Sequence, residues 1–186
     1  MAVIIGTAAS ETLAGTAGKD TITGAGGNDK ALMGGGNDVF IWSPGDGNDT
    51  VEGGTGTDTV HFDGNSGTET FVISANGARV QLSRDVGSVV MDINDVERIE
   101  LQAFAHLDAI VVEDVSGTDL TQVAIDLAGT IPGKTDGSID TIYVNGSKAN
   151  NAITAVMAGG VISVAGLATL NTVDAITVGQ DVIVGS

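Results

Sequence analysis

Residues 15–61 repeat themselves in copies of nine: GTAGKDTIT, GAGGNDKAL, MGGGNDVFI, PGDGNDTVE and GGTGTDTVH. Each copy sets a glycine two residues before an aspartate. All but one set a large apolar residue two after it, namely Ile22, Phe40, Val51 and Val60. A unit this short cannot bury its one apolar residue alone, so neighbouring copies must stack. Glycine accepts positive φ, so the six-residue Gly-rich part of each copy predicts a tight turn. The other three residues predict a short strand with a single inward side chain. Two copies then make one flattened coil, with the turns stacked in two columns.

The acidic positions are Glu11, Asp20, Asp29, Asp38, Asp49, Asp58 and Glu69, spaced 9, 9, 9, 11, 9 and 11. One column takes Asp20, Asp38 and Asp58, and the other Glu11, Asp29, Asp49 and Glu69. The longer spacings take in Trp42-Ser43 and Phe62-Asp63, which are expected to bulge from the turn. With 24 acidic and 7 basic residues the formal charge is −17. Nucleic acid is a poor partner for such a surface, since phosphate binding needs clustered Lys and Arg. Acids in register point instead to a divalent cation. Calcium takes about six to eight oxygen ligands, carboxylates mixed with backbone carbonyls. Stacked turns supply both: the aspartates, and the carbonyls exposed by turns around Gly18, Gly27, Gly36, Gly47 and Gly56. The expected pairs are Asp20 with Asp38, Asp38 with Asp58, and Asp29 with Asp49. Glu11 and Glu69, with an extra methylene, sit at the column ends.

The copy GGTGTDTVH fits GGxGxDxUx (U a large apolar residue) at every fixed position, and residues 6–72 resemble the calcium-binding repeats of the RTX, or repeats-in-toxin, family. The resemblance implies an all-β fold, a right-handed parallel β-roll, with Ca2+ as its bound ion. It also implies a secreted or cell-surface protein exported through an uncleaved C-terminal signal. The ending DVIVGS resembles the acid-plus-apolar terminus of some such exported proteins, and reads equally as one more strand.

Residues 2–5 read as a strand capping the first rung, followed by a degenerate copy, GTAASETLA. Lys30 is expected to project outward. Ala31 leaves a core slot small, for Leu32 or Met33 to fill. From residue 70 to 102 the repeat yields to apolar alternation: Val80/Leu82, Val89/Met91/Ile93 and Ile99/Leu101 read as half-buried strands. Asn76-Gly77 makes either a hairpin turn or a solenoid corner, and the context favours the corner. Beyond residue 103, Asp108, Asp140 and Asp181 keep the acid slot, Asn151 replaces it after Ala149, and residues 129–137 read as a protruding loop. The expected organisation is therefore a β-roll at residues 1–69 and a β-solenoid at 70–186 that has mostly lost calcium.

The absence of cysteine removes disulfides, thiolate metal sites and cysteine nucleophiles. Residues 1–24 lack a signal-peptide pattern, and no run approaches the roughly 18 apolar residues a spanning helix needs. No G-x-S-x-G, H-E-x-x-H or P-loop ending occurs. His61 reads as an exposed residue after a strand, and His106 as a turn residue short of further zinc ligands. Asp92, Asp95, Glu97 and Glu100 form a carboxylate cluster of the kind that cleaves polysaccharides. They alternate with Val96, Ile99 and Leu101 as a solvated strand face does, and that reading is preferred. Threonine rows (Thr21/Thr23, Thr57/Thr59) and the aromatic pair Trp42 and Tyr143 give little support to an ice- or sugar-binding face. The expected function is a calcium-binding module that folds on its ion and serves a structural or adhesive role, not an enzyme. A polysaccharide-modifying enzyme and a subunit that associates end to end are the alternatives.

Overall fold

The structure, a computed structural model, describes residues 1–127 and 138–145, and the backbone of Thr154–Ala158, Val161–Ala165, Thr177–Val178 and Asp181–Gly185. The sequence features at Ala149, Asn151, residues 129–137 and Ser186 lie outside the described residues.

The repeats fold as their period requires. Strands β1 (Val3–Ile5), β3 (Thr21–Thr23), β5 (Val39–Trp42) and β7 (Thr59–Asp63) line up in parallel in one sheet. Strands β2 (Thr12–Ala14), β4 (Lys30–Leu32) and β6 (Thr50–Glu52) line up in parallel in the other. In register, Ile4, Ile22, Phe40 and Val60 form one inward row, and Leu13, Ala31 and Val51 the facing one. Ala31 does hold its core slot; Met33, one residue past the strand, is buried as well, while Leu32 faces out. Lys30 also points outward, 3.6 Å from Glu52.

Two expectations are corrected. Trp42 and Phe62 do not bulge from turns; both are fully buried, in register on β5 and β7, with rings stacked at 4.1 Å and 2°. Phe71 meets Phe62 edge-on at 6.2 Å. The two extra residues in each longer spacing thus lengthen the strand and carry an aromatic ring into the core, where burying it is worth most. Asn76-Gly77 belongs to a hairpin, not a corner. Strand β8 (Thr70–Asn76) pairs antiparallel with β9 (Arg79–Arg84), leaving Gly77 and Ala78 as a two-residue loop, with φ +69° at Gly77. Glycine at the first loop position suits the turn twist that flanking strands demand.

After a short 3₁₀ turn at Val86–Ser88, β10 (Val89–Asn94) pairs antiparallel with β9 and parallel with β6. A three-stranded meander is therefore inserted into the second sheet, while in the first β11 (Arg98–Gln102) stacks directly on β7. Parallel stacking then resumes. The first sheet adds β13 (Gln122–Asp126), and the second adds β12 (Ala109–Val112) beside β8, then β14 (Thr141–Val144). Strands β15 (Thr154–Ala158) and β16 (Val161–Ala165) add antiparallel to the first sheet. In the second, β18 (Asp181–Gly185) adds parallel to β14 and β17 (Thr177–Val178) antiparallel to β18. The alternating residues Val80, Leu82, Val89, Met91, Ile93, Ile99 and Leu101 are all buried. Among the described residues no helix is long and apolar enough to cross a membrane.

Candidate metal centre

Each repeat aspartate lies one residue before its strand, so parallel register stacks aspartate on aspartate. The stack is a hydrogen-bonded ladder. The Asp20 amide donates to Asp38 Oδ1 at 2.6 Å, and the Asp38 amide to Asp58 Oδ1 at 2.8 Å. On the other column the Glu11 amide donates to Asp29 Oδ1 at 2.7 Å, and the Asp29 amide to Asp49 Oδ1 at 2.8 Å. The pairs expected from spacing are thus brought together: Asp20 with Asp38, Asp38 with Asp58, and Asp29 with Asp49. All five aspartates are buried.

The turns stack with them. Gly27, Gly36, Gly47 and Gly56 take φ between +100° and +141°. A β-carbon at Gly47 would strike the carbonyl oxygen of Gly27, and one at Gly56 that of Gly36. Gly18 lies beneath Gly36 and takes no such φ. Beside the acid ladder runs an amide ladder the sequence reading missed: the Asn48 amide donates to Asn28 Oδ1 at 3.0 Å, and the Thr57 amide to Asn37 Oδ1 at 3.2 Å. The repeated Asn-Asp pair was its available signal.

One oxygen of each ladder carboxylate is satisfied; the other distinguishes them. Asp20 Oδ2 accepts from the amide and hydroxyl of Thr16, and the Thr16 hydroxyl bond leads in holding this carboxyl below its ordinary range. Oδ2 of Asp29, Asp38, Asp49 and Asp58 is buried with no hydrogen-bond partner. A β-carbon on Gly24 would lie 2.6 Å from Asp29 Oδ2 and 3.4 Å from Asp49 Oδ2, so both oxygens face the same turn. Burial pushes Asp38 and Asp58 upward, and pushes Asp49 up to about 7, with neighbouring carboxylates adding to the push. Buried polar atoms are ordinarily paired, and buried like charges are costly unless a cation compensates them. A hard divalent ion supplies that charge and prefers oxygen ligands. No group of three or more His, Cys, Asp or Glu converges among the described residues. The columns instead offer two carboxylates per gap with backbone carbonyls around them, a donor set that suits calcium rather than zinc.

Glu69 is placed differently from expectation. The meander separates it from Asp49, whose amide instead faces Met91 Sδ at 3.5 Å. Glu69 Oε1 accepts from Arg84 Nε at 2.6 Å, and both residues are buried. Arg84 lies 5.6 Å over the Trp42 ring. Glu69 opens a separate ladder: its amide donates to Asp108 Oδ1 and that of Asp108 to Asp140 Oδ1, each at 2.8 Å. Glu11, at the other end, is half-buried and accepts from the Thr7 amide at 2.6 Å.

The sequence cluster of Asp92, Asp95, Glu97 and Glu100 is dispersed. Asp92 sits on the second sheet, 2.6 Å from Arg79, and Glu100 on the first, between Arg98 and His61. Glu97 takes the amide of Asp58 at 2.7 Å, joining the acid column. His61 stands between Asp63 at 3.1 Å and Glu100 at 3.4 Å. His106 occupies a turn with φ +92°. Trp42 is buried while Tyr143 is exposed, and Val39 interrupts the row joining Thr21 to Thr59.

The RTX calcium-binding nonapeptide repeat matches the chain in four copies, over residues 5–40 and 45–69. No curated protein matches it by sequence. Repeats of this family are structural modules that bind Ca2+, and the matched residues are those whose aspartates and glycines stack here. Residues 5–40 and 45–69 therefore carry RTX calcium-binding nonapeptide repeats.

Proposed function

We propose that calcium binding and folding of residues 1–69 are one event, and that the module is a structural or adhesive part of a secreted or cell-surface protein. The unpartnered buried oxygens of Asp29, Asp38, Asp49 and Asp58 carry this reading. Adjacent strands lie about 4.8 Å apart. At an effective dielectric near 20, two stacked carboxylates repel by roughly 3 kcal/mol. Three such pairs approach the whole stability of a domain, about 5–15 kcal/mol, so the metal-free roll is self-opposed at neutral pH. Asp20, Asp38 and Asp58 would hold ions in one column and Asp29 and Asp49 in the other, with turn carbonyls around Gly18, Gly27, Gly36, Gly47 and Gly56 completing the shell. Glu11 would close the second column. Calcium supplies the charge that lets the turns close. The described strands beyond residue 70 would continue the stack with little calcium of their own.

Low cytosolic calcium would leave the repeats unfolded and exportable. Extracellular modules work with sites of about 10⁻⁴–10⁻³ M, so millimolar calcium outside the cell would fold them. Far-UV circular dichroism during calcium titration tests the coupling, with magnesium as control. The strand signal should rise cooperatively with calcium. Asp38→Ala, which removes a carboxylate shared by two gaps, should raise the midpoint at least about tenfold. Equal strand signal in chelator and in calcium would overturn the coupling.

A further inference from the structure

We infer that the turn at residues 94–97, outside the repeats, completes one more calcium site, with Asp58 and Glu97 as its carboxylates. The inference rests on the calcium reading above and extends it by one gap. The Asp58 amide donates to Glu97 Oε2 at 2.7 Å, the same bond that the Asp38 amide makes to Asp58 at 2.8 Å. The backbone repeats as well: the Arg98 amide donates to the Asp58 carbonyl at 3.1 Å, as the Thr59 amide does to that of Asp38 at 3.0 Å. Glu97 therefore occupies the place of a fourth aspartate in the column that begins at Asp20.

A second observation points to a ligand in this gap. Asp58 is fully buried and its Oδ2 has no partner. A β-carbon on Gly53 would lie 2.9 Å from that oxygen and would strike the carbonyl oxygen of Asp95. The Asp58 oxygen thus faces the space where the 53–58 turn approaches the 94–97 turn. Asp95 adopts φ +50°, a left-handed backbone in a turn stacked on glycine turns. No lysine or arginine pairs with Asp58 or Glu97 among the described residues. The other column has no such continuation, because a thioether faces the Asp49 amide there, and a hard cation has little use for sulfur. The Asp20 column ends at Glu97, whose carbonyl accepts from Thr121 on the next rung.

Isothermal calorimetry of the full chain with calcium chloride tests the site. Glu97→Gln keeps an oxygen for the Asp58 amide while removing the charge. It should bind one calcium fewer per chain than wild type and keep the calcium-induced strand signal. Glu100→Gln, on the outer face of the strand that follows the turn, should bind as wild type does. If Glu97→Gln does not fold, Glu97→Asp gives the reading: one site weakened about tenfold supports the inference. An unchanged isotherm in the variant that folds overturns it. A wild-type chain that takes up no calcium would instead overturn the repeat-based reading, a separate result.

Discussion

Asp49 and Glu69 stand 20 residues apart, each one residue before a strand whose second residue points inward, Val51 or Phe71. Each accepts a backbone amide, from Asp29 and Asn65 respectively. Among the described residues no basic side chain pairs with Asp49, its Oδ2 has no partner, and burial pushes the carboxyl up to about 7. Around Glu69 the meander delivers Arg84, whose guanidinium holds Oε1 and rests over Trp42. The chain thus meets one electrostatic problem in two ways. In the nine-residue copies the strand lysine, Lys30, points outward to Glu52 and leaves the buried aspartates without a cation of the protein's own among the described residues. Where an inserted strand enters the stack, it brings the cation with it. The two positions thus differ in where the compensating charge comes from: at Glu69 it is a side chain of the protein itself.

Replacing Arg84 should break the second arrangement most severely. At saturating calcium, Arg84→Met should lose about 3–5 kcal/mol in urea unfolding, since it strands a buried carboxylate. Adding Glu69→Gln should recover most of that loss. Full rescue of Arg84→Met by millimolar calcium alone would show that Glu69 can accept an ion as the repeats do, and the contrast would dissolve.

Trp42 joins the two regions. Its indole N–H donates to the Gly47 carbonyl at 2.9 Å in a repeat turn, and Arg84 lies over its ring. Trp42→Phe keeps the stacking on Phe62 but removes that hydrogen bond and weakens the cation contact. The expected loss is about 1–2 kcal/mol, with a higher calcium midpoint. A change in stability without a shift in midpoint would mean that the regions are energetically separate.

The smallest effect concerns protons. Asp49 is raised when folded, from an unfolded value of about 3.9 to about 7. Between these values the metal-free fold binds more protons than the unfolded chain, so its stability falls as pH rises through that window. Calcium must displace the proton, so apparent affinity should drop as pH falls below about 7. Calorimetry in buffers of different ionisation enthalpy should find more protons released at pH 6 than at pH 8. Asp49→Asn should remove most of the difference.

The period, the two columns, the aspartate pairs and the inward residues Ile22, Phe40, Val51 and Val60 were all legible in the sequence. They depend on local causes: glycine turns of fixed length, three-residue strands, and parallel register that repeats one rung on the next. Glu97 left a fainter trace, an acid two residues before the inward Ile99, as Asp58 stands before Val60. That pattern could have identified it, but the separation of 39 positions between Asp58 and Glu97 hid their adjacency. Arg84 left none, because nothing near it in sequence marks Glu69, fifteen residues earlier, as its partner.

The sequence by itself determined that the chain begins as stacked coils with acids in register. Only the tertiary structure decided that residues 70–94 fold into a meander, that Trp42 and Phe62 enter the core, and which acids meet a cation of the protein's own. A repeat encodes its neighbour through short-range geometry. An insertion is placed by which sheet edge its strands can satisfy and which ring or charge they can bury, and those partners lie up to 42 residues away.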